Sequence, residues 1–103
     1  MAQMKIPRYL YHYSSISNHT GILSNGLVGM NNGKWAIYLA ASPRSWRGLH
    51  KFADLWRIDT SLLDRSQFSV VDPDLDEILY WGKDNLGKIA IPPCYITHLS
   101  FPL

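Results

Sequence analysis

The chain has 103 residues, 47% of them hydrophobic and 17% charged, which supplies one core and excludes a disordered chain. A formal net charge of +2, with both signs mixed along the chain, gives no basic stripe of the kind that demands nucleic acid. The single cysteine, Cys94, excludes an internal disulfide and a multi-cysteine metal site; no apolar run is long enough to span a bilayer, so a soluble cytoplasmic protein is expected.

The aromatic stretch Tyr9-Leu10-Tyr11-His12-Tyr13 predicts a strand over 9–13. Ser14, Ser15 and Ser17 follow as candidate helix caps, and the pair Asn25-Gly26 supplies a stop. A short helix over 17–24 is therefore expected. Residues 29–33, with Asn31-Asn32-Gly33, read as a loop. A second strand is predicted over 35–41. Ser42-Pro43 then starts a turn or a short helix carrying Trp46. Further strands are expected over 52–59, 68–71, 77–81, 88–91 and 95–101. They are separated by a turn over 61–66, by Asp72-Pro73-Asp74, by a loop over 82–87 and by Pro92-Pro93. Many short strands with one or two short helices make a single α+β domain over 1–103.

Four places carry polar chemistry. His12 and Ser14 lie two apart, so on a strand they share a face and offer donors and acceptors suited to a ribose or an amide. The ordinary alternative is a half-buried histidine beside a capping serine. Tyr38 sits in the apolar strand Ala36-Ile37-Tyr38-Leu39-Ala40 and could present its ring to a flat ligand, or simply fill the core; Trp46 carries the same ambiguity. Glu77 is the single glutamate, at the head of Glu77-Ile78-Leu79-Tyr80-Trp81. A carboxylate there could hold a sugar hydroxyl or stabilise positive charge, or could stand solvated at a strand end. The four histidines show no His-x-x-x-His spacing, so no metal is expected. Neither a phosphate-binding glycine loop nor a Gly-x-Ser-x-Gly elbow occurs.

Taken in order, Leu10-Tyr11-His12-Tyr13-Ser14-Ser15, then Gly21-Ile22-Leu23-Ser24-Asn25-Gly26-Leu27, then Lys34-Trp35-Ala36-Ile37-Tyr38-Leu39-Ala40 resemble the NAD-binding half of the ADP-ribosyltransferases. The likeness is to the His-Tyr-Glu branch, which includes the poly(ADP-ribose) polymerases, diphtheria-type toxins and small bacterial or phage relatives. It implies a compact, split, mixed β-sheet sandwich around an NAD cleft, with His12 and Tyr38 on adjacent strands. It also implies roles for residues: His12, Tyr13 and Ser14 at the nicotinamide ribose and carboxamide, Tyr38 and Trp46 against the nicotinamide ring, and Glu77 as the catalytic carboxylate. NAD would be the substrate, without a metal, and ADP-ribose would pass to a macromolecular acceptor, protein or nucleic acid. An antitoxin or inhibitor partner would suit a toxin or phage effector. Leu75 stands where arginine- or serine-directed members carry a polar residue, so the resemblance names no acceptor. It extends to the RNA 2′-phosphotransferases, for which Arg8, Arg44 and Arg47 could meet phosphate, and to a non-catalytic nucleotide-binding module that keeps the pocket alone.

Overall fold

Aromatic and β-branched residues favour pleated, half-buried backbone, and the longest such run forms the centre of the molecule. In the computed structural model, residues 6–43, 53–72 and 77–99 are described; Trp46, Arg44, Arg47 and Leu75 lie outside them. Strand β1 (Tyr9–Ser15) pairs along its whole length with β4 (Ala53–Asp59), from Tyr9↔Asp59 to Ser15↔Ala53. Entry into β1 is pinned by Thr60, which is fully buried with its hydroxyl within reach of the carbonyls of Pro7 (2.6 Å) and Arg8 (2.9 Å).

After β1, Ser15 Oγ accepts from the Ser17 amide at 3.3 Å and caps a 3-10 turn, Ile16–Asn18. Helix α1 (His19–Asn25) follows, starting two residues after the expected start at Ser17. Its stop is Gly26, at φ 80°, whose amide bonds to the Ile22 carbonyl at 2.9 Å. A Cβ on Gly26 would lie 2.0 Å from the Ile91 carbonyl oxygen. Glycine is thus required twice, by the backbone angle and by the close approach of the chain behind it. The next residues form β2 (Leu27–Val28), then a turn, Met30–Gly33, in which Asn31 and Asn32 are both left-handed at φ 57°.

The remaining strands are β3 (Ile37–Ala40), β5 (Phe68–Asp72), β6 (Glu77–Tyr80), β7 (Ala90–Ile91) and β8 (Ile96–Leu99). Six of the eight strands among the described residues order as β5-β6-β3-β1-β4-β8, and β2 pairs with β7 in a separate two-stranded sheet. The architecture is α+β, mostly sheet with few short helices. Every strand pair among the described residues is antiparallel, which corrects the expectation of a mixed sheet. A parallel neighbour needs a crossover of a dozen or more residues, whereas β5 and β6 are separated by four residues, 73–76.

The core lies between one face of the large sheet and a layer made by α1, β2 and β7. Leu10, Trp56, Ile58, Leu39, Ile37, Ile78 and Tyr80 meet Ile22, Leu27, Ile89 and Ile91 there. No helix among the described residues is long and apolar enough to cross a membrane.

Two glycine substitutions test how α1 is fitted. Gly26→Ala is expected to destabilise the fold by at least about 1–3 kcal/mol, the range for overpacking against fixed atoms. Gly21 lies within α1 with nothing near its missing Cβ, so Gly21→Ala is expected to stabilise by about 0.5–1 kcal/mol. Urea unfolding of both variants measures the difference.

Candidate functional site

Side chains alternate across a strand, and residues directly opposite on neighbouring strands share a face. On the core-facing side of the large sheet the register gives three rows. Leu10 lies opposite Ile58, which lies opposite Ile96; His12 opposite Trp56, opposite His98; Ser14 opposite Asp54. The face thus passes from apolar to polar along β1, and the polar end reaches the surface where α1 begins.

The sheet splits at the same place. β1 and β3 share one registered pair, Tyr11↔Ala40. Beyond it the strands part, and the Tyr38 carbonyl on β3 takes a side-chain partner in place of a strand one. His12 supplies it: Nδ1–H donates to the Tyr38 carbonyl oxygen at 2.8 Å. The acceptor is a carbonyl, so the bond sets the proton on Nδ1. His12 and Tyr38 therefore sit on adjacent strands and are joined through the Tyr38 backbone. Their side chains leave the sheet on opposite faces, because Tyr38 alternates with the core residues Ile37 and Leu39 and keeps to the side of Ala40 and Tyr11. Tyr38 is 42% exposed between two buried neighbours, so its ring belongs to the surface and not to the core.

A pocket of about 690 Å³ opens at the split, within the size range of small-molecule sites. His12, Tyr13, Ser14 and Tyr38 line it, facing Gly21 and Ile22 of α1 and the glycine-flanked segment 26–30. Gly29 lets that segment lie close to β3: a Cβ there would stand 1.9 Å from the Trp35 carbonyl oxygen. Four of the residues expected at the site are thus gathered at one opening. Tyr13 is buried, and its hydroxyl donates to the Pro43 carbonyl, so its phenol braces the segment after β3. Ser14 Oγ accepts the indole Nε1–H of the fully buried Trp56 at 2.8 Å, while its own proton meets the Ser15 carbonyl only at 3.5 Å. The serine is a structural acceptor that retains a weakly engaged donor.

Glu77 does not line the pocket. It opens β6 opposite Ala40, which is itself opposite Tyr11. The register puts it on the same side of the sheet as Tyr38, one strand away. Trp46 falls outside the described residues.

A second polar group was not visible in the residue spacing. His19 Nδ1 donates to Asp54 Oδ2 at 2.9 Å and His98 Nε2 to Asp54 Oδ1 at 3.1 Å. Both imidazoles also pack on Trp56, with ring centroids 5.2 Å and 5.0 Å from it. The three residues come from α1, β4 and β8, and sequence separations of 35 and 44 carry no local signal. The alternation of β4, which places Asp54 and Trp56 on one face, was the one clue in the sequence.

No family model, curated protein or solved structure matches the chain. The likeness to ADP-ribosyltransferases therefore rests on the residues themselves.

The serine's structural role has a measurable consequence. Ser14→Ala leaves the Trp56 indole N–H buried without its acceptor, which is expected to lower stability by about 1–3 kcal/mol. In the double variant Ser14→Ala with Trp56→Phe, the Ser14 change is expected to cost less than it does alone, because no donor is left unpaired. Chemical denaturation of the four-member cycle reads the coupling directly.

Proposed function

We propose that the chain is an NAD-dependent ADP-ribosyltransferase, using the pocket between β1 and β3 for the nicotinamide end of NAD. The observation that carries the reading is the His12–Tyr38 link at the mouth of the split. It ties the imidazole of the histidine to the backbone of the tyrosine at one opening, with Ser14 and the glycine-bearing wall around it.

In this reading His12 hydrogen-bonds the nicotinamide ribose, and Ser14 donates its weakly engaged proton to the ribose or the carboxamide. The Tyr38 ring lies on the other face of the sheet from His12, and nicotinamide stacks on it by entering between the parted strands. The bond between the ribose C1′ and the nicotinamide nitrogen breaks, its electron pair leaving with nicotinamide. An acceptor nucleophile then bonds to C1′ and loses its proton to solvent. Positive charge builds on the ribose as the first bond breaks, so a carboxylate at the 2′-hydroxyl stabilises that state more than the ground state. Glu77, the single glutamate, heads the strand beside Tyr38, and we assign it that role.

A second reading draws on the same structure. Glu77 stands outside the residues that line the pocket, as it would in a nucleotide-binding module that holds its ligand without cleaving it.

The two readings separate on turnover. Glu77→Gln keeps the shape and loses the charge, and is expected to reduce nicotinamide release by about 10²-fold or more with NAD affinity nearly unchanged. Asp74→Asn and Asp76→Asn are expected to retain near-normal rates. Wild-type protein that binds NAD by calorimetry but releases no nicotinamide would replace the enzyme with the binding module. Independently, His12→Ala is expected to weaken NAD binding by about 1–3 kcal/mol, as for a lost buried hydrogen-bond partner. Absence of any binding at millimolar NAD would remove both readings.

A further inference from the structure

The grouping of His19, Asp54 and His98 is not used by the reaction above. Each contributes one ligand-type atom, and these atoms all lie within 4.8 Å of one another. The carboxylate is the most enclosed part, with its side chain 12% exposed, while the two imidazoles are about one third exposed. A largely buried carboxylate held between two imidazoles, open to solvent on one side, has the donors that a borderline metal takes. In a tetrahedral zinc site, bonds of about 2.0–2.2 Å set neighbouring ligand atoms about 3.3 Å apart. The contacts of 2.9 Å to Asp54 Oδ2 and 3.1 Å to Asp54 Oδ1 are hydrogen-bond distances to the two carboxylate oxygens, and with all ligand atoms within 4.8 Å of one another small side-chain rotations bring the set to that spacing.

We propose that His19 Nδ1, Asp54 and His98 Nε2 form a zinc-class metal site that staples α1 to the β4–β8 edge of the large sheet. Two imidazole nitrogens with one carboxylate oxygen suit zinc and its transition-metal neighbours. Magnesium and calcium instead take all-oxygen sets. Three protein ligands leave a fourth position for water. Loading the metal releases no net proton from neutral imidazoles: each ring hydrogen shifts to the far nitrogen, from His19 Nδ1 to Nε2 and from His98 Nε2 to Nδ1, as the two hydrogen bonds to Asp54 give way to metal bonds. Trp56 packs against both rings and bonds to Ser14, so the orientation of the imidazoles is set by the core. The site also holds the N-terminal end of the helix whose Gly21 and Ile22 wall the pocket. This goes against the absence of a metal expected from histidine spacing, and it does not depend on the NAD reading, since binding is read on the protein alone.

The test uses full-length protein stripped by chelator dialysis and titrated with Zn²⁺ by calorimetry and with Co²⁺ by visible absorption. One equivalent of each is expected to bind, and Zn²⁺ is expected to raise the thermal midpoint, because a metal that binds the folded state stabilises it. His98→Ala and Asp54→Asn are each expected to weaken Zn²⁺ binding by more than about 100-fold, beyond the loss typical of an outer-shell partner. Asp54→Asn nearly preserves side-chain shape, and circular dichroism reports whether either variant keeps the fold. His12→Ala and His50→Ala are expected to bind Zn²⁺ as the wild type does. Stripped wild-type protein that binds no equivalent and melts at one temperature with or without Zn²⁺ would overturn the proposal. So would one-equivalent binding that survives in folded Asp54→Asn and His98→Ala, or that disappears in His12→Ala or His50→Ala.

Discussion

Trp56 is the residue through which the parts of this protein are fastened to one another. Its indole is fully buried, opposite His12 on β1 and opposite His98 on β8. An indole has one polar atom, and burial makes that N–H costly unless it is bonded. Ser14 accepts it at 2.8 Å, which holds the last part of β1 in place against β4. The outer part of the same ring carries the imidazoles of His19 and His98. One side chain thus joins the apolar core, the pocket wall and the His19–Asp54–His98 group.

The pocket itself follows from a failure of pairing. An antiparallel ladder continued past Tyr11↔Ala40 would close the space between β1 and β3. Instead the strands part after one registered pair, and β1 stays with β4 to its end at Ser15↔Ala53. The Tyr38 carbonyl is then satisfied by an imidazole. Such a bond costs β3 none of its hydrogen bonding, and it puts a titratable ring at the mouth of the opening. The other wall depends on small residues. Gly26 and Gly29 allow the segment after α1 to run within touching distance of Ile91 and Trp35, where any side chain would push it away from those backbones.

Much of the fold was legible in the residues. Alternating aromatics marked β1, Asn25-Gly26 marked the end of α1, and an apolar run marked β3, each a local signal with a local cause. The start of α1 was less so: three serines compete as caps, and Ser15 takes a 3-10 turn first, which delays the helix to His19. The pairing of β2 with β7 left no readable mark, because two-residue strands are too short to show a period. At the site, the resemblance singled out His12, Tyr13, Ser14 and Tyr38, and the pocket gathers all four. It did not show that Tyr13 and Ser14 spend polar atoms on Pro43 and Trp56, since both contacts arise from strand packing.

The sequence by itself determined an α+β domain of short strands, a helix stopped by glycine, and a short set of polar residues placed among apolar ones. Those features depend on neighbours within a few positions: backbone preference, alternation and the steric freedom of glycine. Only the tertiary structure decided that every strand pair among the described residues is antiparallel, that β1 and β3 separate after Tyr11, and that His12 reaches the Tyr38 carbonyl. It alone brought His19, Asp54 and His98 together across separations of 35 and 44 residues. Contacts at that distance are chosen by how the sheet and the α1 layer bury their shared core, and no stretch of chain carries that information alone.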